Sequence, residues 1–136
     1  MPQTITRGYK ALVDEANSKI ETIPAAEAVA LHGREDVVLV DLRDPRELER
    51  EGRIPGAFHC PRGMLEFWID PGSPYHKPVF AEDKRFVFVC AGGWRSALAA
   101  ATAQDMGLKP VAHIDGGYGA WREAGFPTEK KEKPAG

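Results

Sequence analysis

The chain has 136 residues, of which 43% are hydrophobic and 28% charged, with a formal net charge of −2. This length supports one domain and the composition is that of a soluble globular protein. The charge balance, with no basic stripe, gives no reason to expect nucleic-acid binding, and no apolar run approaches the ~20 residues that span a bilayer. The opening Met1-Pro2-Gln3-Thr4-Ile5-Thr6-Arg7 lacks an apolar stretch of the secretory kind, so a cytoplasmic location is the expectation. The two cysteines, Cys60 and Cys90, form no C-x-x-C pair and are expected free in a reducing compartment. With the scattered His32, His59, His76 and His113 they make no zinc-ligand pattern.

In chain order, Tyr9, Leu12, Val13, Ala16 and Ile20 recur at helical spacing across Gly8 to Ile20. Thr22-Ile23-Pro24 reads as a short strand end and helix start, with Pro24 in the first turn, and Ala25 to Leu31 as a short helix ending near Gly33. Val37-Val38-Leu39-Val40 is a continuous apolar run rich in β-branched residues, the pattern of a strand buried on both faces. Asp41-Leu42-Arg43-Asp44 follows its carboxyl end, and Pro45 opens a helix to Arg50. Gly52 to Gly56 is a turn cluster and Ala57 to Cys60 a brief strand. Met64 to Trp68 reads as helical, and Asp70 to Pro78, with three prolines, as a loop.

Phe86 to Val89 is the best strand and Arg95 to Met106 the best helix, with alanines at 97, 99, 100, 101 and 103 and Gly107 placed to cap it. Val111 to Ile114 is a further strand, and Asp115-Gly116-Gly117 turns into a helix from Tyr118 to Glu123. Thr128 to Gly136 reads as a frayed, charged tail. Buried strands alternating with helices predict an α/β fold, an open parallel sheet with helices on both faces. Such sheets bind ligands at the carboxyl ends of their strands, where Asp41 and Cys90 both fall.

Cys90-Ala91-Gly92-Gly93-Trp94-Arg95-Ser96 carries the chemistry. It sets a thiol at a strand end and at the mouth of a helix, where backbone N–H groups and the helix dipole favour an anion and therefore the reactive thiolate. The dipole alone supplies typically about 0.3–1 kcal/mol, so direct N–H bonds and the Arg95 cation must add to it. The two glycines let the loop curl inward, and Arg95 closes it with a fixed charge and a planar set of donors.

Three stretches together resemble the rhodanese family. These are Val37 to Arg43 with Gly52 to Ala57, the loop from Cys90 to Ser96, and Asp115-Gly116-Gly117-Tyr118-Gly119-Ala120-Trp121. The resemblance spans residues 22 to 127, leaving 1–21 as a helical extension and 128–136 as a flexible tail. It implies a single-domain, thiosulfate sulfurtransferase-like protein with a five-stranded parallel sheet and no metal or organic cofactor.

It also implies that Cys90 carries a sulfane sulfur as a persulfide, held by the amides of Ala91, Gly92, Gly93, Trp94, Arg95 and Ser96, with Arg95 steering an anionic donor. Asp41 and Arg43 are read as supports for the loop, Trp94 as a rim residue or a packed one, Trp121 as core, and Cys60 as structural, its alternative being a resolving thiol. The donor is a small anion such as thiosulfate, and the acceptor cyanide, a thiol or a protein. A persulfide carrier serving one protein partner is the alternative. Four residues separate Cys90 from Arg95, whereas the phosphatases and arsenate reductases that resemble this arrangement place five, which favours sulfur chemistry. Two features depart from the family pattern: Arg53 stands where histidine is common, and the segment from Glu66 to Phe80 is longer than the minimal connection.

Overall fold

The computed structural model describes residues 2–130. Its elements are α1 (Tyr9–Lys19), β1 (Glu21–Pro24), α2 (Ala25–Ala28), β2 (Val37–Asp41), α3 (Pro45–Glu51), β3 (Phe58–His59), α4 (Leu65–Ile69), β4 (Arg85–Val89), α5 (Trp94–Asp105), β5 (Val111–Asp115) and α6 (Gly117–Glu123). Short 3-10 turns follow α2, precede α4 and precede β4. The five strands form one parallel sheet in the order β1-β5-β4-β2-β3.

Strand β4 shows why the sheet is filled on both sides. Its side chains alternate across the pleat. Phe86 and Phe88 join one buried cluster with Val13 and Ala16 of α1, Ile20 just after it, Leu65 and Ile69 of α4, and Ala97, Ala100 and Ala103 of α5. Val87 and Val89 join the other, with Ala28, Tyr118 and Trp121 of α2 and α6. The alanines of α5 let that helix sit close to the strands. Its end is a Schellman motif: Gly107, at φ 106°, donates to Gln104 O, and Leu108 donates to Ala103 O.

Helix α1 is part of the same core, since it packs on α5 and buries Val13 and Ala16, the valine contributing about 1.5–3 kcal/mol of apolar transfer. Pro24 is the last residue of β1 and the N-cap of α2, one position earlier than the first-turn placement expected. Within the 128–136 stretch read as a tail, residues 131–136 lie outside the described residues. Glu129 is held, bridging Arg53 through both backbone bonds at 2.8 Å and an Nε–carboxylate contact at 3.3 Å. The long 66–80 segment folds back on itself: Lys77 N–H reaches Trp68 O, and its ammonium lies over the Trp68 ring.

The topology fixes where a ligand site can lie. From β2 the chain runs outward through α3 to β3, and from β4 it runs the opposite way through α5 to β5. A crevice therefore opens between the carboxyl ends of β2 and β4, the switch point of the sheet. Asp41 and Val89 are partners at that edge, with Cys90 the next residue.

Candidate active site

Cys90 leaves β4 and its sulfur turns back under the start of α5. Gly93, the N-cap residue, donates its N–H to Sγ at 3.1 Å, and Ser96, at N3, donates at 3.3 Å. A helix start leaves its first amides without intrahelical acceptors. No side chain at the N-cap position serves them; the Cys90 sulfur does. The amides of Trp94 and Arg95, at N1 and N2, have no helical partner either. Both partnered donors strengthen as the sulfur becomes anionic, because charge-assisted hydrogen bonds are the stronger kind. The Ser96 hydroxyl lies 3.5 Å from Sγ.

The two loop glycines differ. Gly93 has φ 108° and requires glycine. Gly92 has no left-handed φ, and a Cβ there would meet open space, so only one of the pair shapes the turn. The loop is clamped from below by α6: Tyr118 N–H donates to Cys90 O at 2.7 Å and Gly119 N–H to Ala91 O at 3.1 Å. Trp94 stands outside the ring, 61% exposed, against the Tyr9 ring at 4.7 Å between centroids. Cys90 itself is 1% exposed, so its sulfur is almost wholly enclosed.

Asp41 and Arg43 form a buried ion pair behind the site. Asp41 Oδ1 accepts from Arg43 N and Nε, and Oδ2 accepts from Nη2 at 2.8 Å; Nη2 also donates to Gly52 O. The guanidinium lies 4.0 Å from the Tyr118 ring centre, and Nη1 has no oxygen partner. The pair makes no bond to the Cys90 loop itself; it supports Tyr118, which holds Cys90 O. His59 Nε2 meets Arg43 O at 2.6 Å and is spent on that turn.

Arg95 is not a free cation. Its Nη1 and Nη2 donate to the two oxygens of Glu47 at 2.7 and 3.0 Å, tying α5 to α3 across the crevice. Glu47 also closes a capping box with Asp44. The Arg95 guanidinium beside it is the main reason its carboxyl falls from 4.5 to about 2. The motif Asp44-Pro45-Arg46-Glu47 carries the capping-box signature in the sequence; its second partner, 48 positions away, does not show there.

A carboxyl depressed in the folded state contributes stability above its ordinary range and loses it as pH falls through the folded value. Glu47→Gln therefore lowers stability by about 1 kcal/mol at pH 7, since Arg95 is partly solvated. The gap closes as pH drops through about 2. Urea midpoints of both proteins across that range test it; a constant difference excludes the ion pair as its cause.

Cys60 is fully buried on the far side of β2 from Cys90, and burial pushes its thiol up to about 12. It remains a neutral thiol. Ser96 Oγ has a second partner, His113 Nδ1, at 2.9 Å, a residue that sequence reasoning passed over. The signal was there: a polar side chain inside the apolar run Val111-Ala112-His113-Ile114.

Residues 24–124 match the rhodanese-like domain. The chain belongs to the rhodanese family. The GlpE thiosulfate sulfurtransferase of Pseudomonas putida is 32% identical over 112 residues, 82% of this chain and 93% of that protein. A Rhodopseudomonas palustris protein, described as of unknown function and a possible tyrosine phosphatase, is 74% identical with a TM-score of 0.93, covering 95% of this chain and 99% of that one. A polysulfide-sulfur transferase homodimer from Wolinella succinogenes is 29% identical with a TM-score of 0.69, covering 90% of this chain and 88% of its own.

Proposed function

We propose that the protein is a sulfurtransferase in which Cys90 accepts the outer sulfur of thiosulfate or a similar small donor and passes it to a thiol or cyanide. The reading rests on one observation above the others: the Cys90 sulfur takes the place of a helix cap, receiving two N–H bonds. Its thiolate attacks the outer sulfur, the S–S bond to the sulfonate breaks, and sulfite leaves with the electron pair. The product is a Cys90 persulfide. The amides of Trp94 and Arg95, left without helical acceptors, are free to serve the new terminal sulfur, and amides aimed at developing charge are effective catalysts. An acceptor nucleophile then takes that sulfur and returns the thiolate, giving ping-pong turnover. Arg95, paired with Glu47, holds the rim of the loop in place.

The competing reading is phosphatase chemistry, the activity suggested for the Rhodopseudomonas protein. Two features weigh against it. Only four residues separate Cys90 from Arg95, a short ring for a tetrahedral oxyanion, and the sulfur is too enclosed for an aryl phosphate. Intact mass after incubation with thiosulfate is expected to rise by one sulfur atom, and aryl phosphate turnover is expected at background. No mass gain together with Cys90-dependent phosphate release reverses the assignment. Comparison of cyanide, small thiols and protein acceptors then separates a turnover enzyme from a dedicated persulfide carrier.

A further inference from the structure

A continuous buried hydrogen-bond chain runs from the reactive sulfur through the sheet to the first helix. Cys90 Sγ lies 3.5 Å from Ser96 Oγ, which lies 2.9 Å from His113 Nδ1. His113 Nε2 lies 2.8 Å from Asn17 Oδ1 on α1 and 3.2 Å from Thr22 Oγ1 on β1. Ser96 and His113 are almost fully buried. An amide oxygen only accepts, so His113 Nε2 carries a proton, and Nδ1 of the neutral ring accepts the Ser96 O–H. The Ser96 lone pairs then face Cys90. In that arrangement they suit a thiol, which can donate, and oppose a thiolate, which cannot.

We propose that His113 is the proton acceptor for Cys90, acting through Ser96 as a positioning residue that sets the ionised state of the nucleophile. The Cys90 S–H bond breaks and its proton passes to Ser96 Oγ. The former Ser96 proton passes to His113 Nδ1. The hydroxyl is restored but reversed, now donating to the thiolate beside the Gly93 and Ser96 amides. The imidazolium donates from Nδ1 to Ser96 Oγ and from Nε2 to Asn17 Oδ1, so every donor and acceptor in the chain is satisfied in the charge-separated form. Asn17 and Thr22 lie before the span of the family match, which ties this device to α1 and β1 of this chain.

The surroundings of His113 define when it can hold the extra proton. Burial is the larger influence and holds the His113 ring below the usual imidazole range, while Asp115 at the end of its own strand acts the other way. α1 and β1 present the neutral Asn17 and Thr22, α5 presents Ser96, and β4 places Phe88 alongside in register. Among the described residues no further charge compensates the ring, so the imidazolium persists while the thiolate lies at the other end of the chain and reverts to the neutral ring once that negative charge is gone.

The inference rests on the reading of Cys90 as the reactive thiolate, but its test does not depend on sulfur transfer. In a Cys60→Ala background, which leaves one thiol, the ultraviolet absorbance of the thiolate is measured against pH for the parent, His113→Gln, Ser96→Ala and the double variant. His113→Gln is expected to lower the thiolate fraction at neutral pH about tenfold, and to add nothing once Ser96 is alanine. An unchanged thiolate fraction, or additive effects, overturns the relay. Nitrogen-15 spectra of the His113 ring need no change at His113. The ring is expected to be doubly protonated at neutral pH in the parent and singly protonated in Cys90→Ser; a neutral ring in the parent overturns the proposal. A normal titration without sulfur uptake from thiosulfate would instead refute the donor assignment and leave the relay standing.

Discussion

Cys90→Ser is expected to keep its fold and lose sulfur uptake entirely. Serine is close in size, and its oxygen can accept the same two amides that now meet Sγ from Gly93 and Ser96, so the cap of α5 and the clamp from α6 survive. The chemistry does not. A hydroxyl is a weak nucleophile at its free pKa without a base matched to it, and oxygen forms no persulfide. Removing a nucleophile of this kind lowers turnover by about 10⁴-fold or more. Intact mass after thiosulfate treatment and sulfite release measure it. Cys60→Ala, by contrast, removes a thiol that burial keeps protonated and retains uptake. A sulfur atom added to Cys90→Ser, or its loss from Cys60→Ala, places the reactive thiol elsewhere.

Much of this site was legible because it is local. The loop, its glycine at the left-handed position and the helix after it are consecutive, so strand-end and helix-mouth logic reaches the thiol cradle directly. Strand β4 was readable because both of its faces are buried and its apolar run is unbroken. What escaped was long-range. Glu47 neutralises Arg95 from 48 positions away, and His113 reaches Ser96 only because β5 lies beside β4. Asn17 enters because α1 packs against α5. Those partners depend on strand order, β1-β5-β4-β2-β3, which periodicity alone does not reveal. The first loop glycine was misjudged for a related reason: the sequence shows a Gly-Gly pair, but only the fold shows that Gly92 has room for a side chain.

The opposite holds for Gly117, and the consequence is measurable. Its φ is +59°, and a Cβ there would lie 2.3 Å from Cys90 O, 2.8 Å from Ala91 O and 2.9 Å from Ala91 C. Neither partner can retreat cheaply. Those two carbonyls are the acceptors of Tyr118 N–H and Gly119 N–H, so moving α6 away breaks both bonds and lifts Tyr118 from beneath Arg43. Moving the loop instead shifts the Gly93 amide off the sulfur. Left-handed backbone at a residue with a Cβ costs about 1–2 kcal/mol, and overpacking a tight contact about 1–3 kcal/mol more. Gly117→Ala is therefore expected to lose roughly 2–5 kcal/mol in urea unfolding and, where it stays folded, to take up sulfur far more slowly. Gly92→Ala, with no left-handed backbone and nothing near its Cβ, is expected to stay within about 0.5 kcal/mol of the parent in the same titration. Equal stabilities for the two variants would mean that α6 does not press on the catalytic loop, and the clamp that sets the cradle would have to be sought elsewhere.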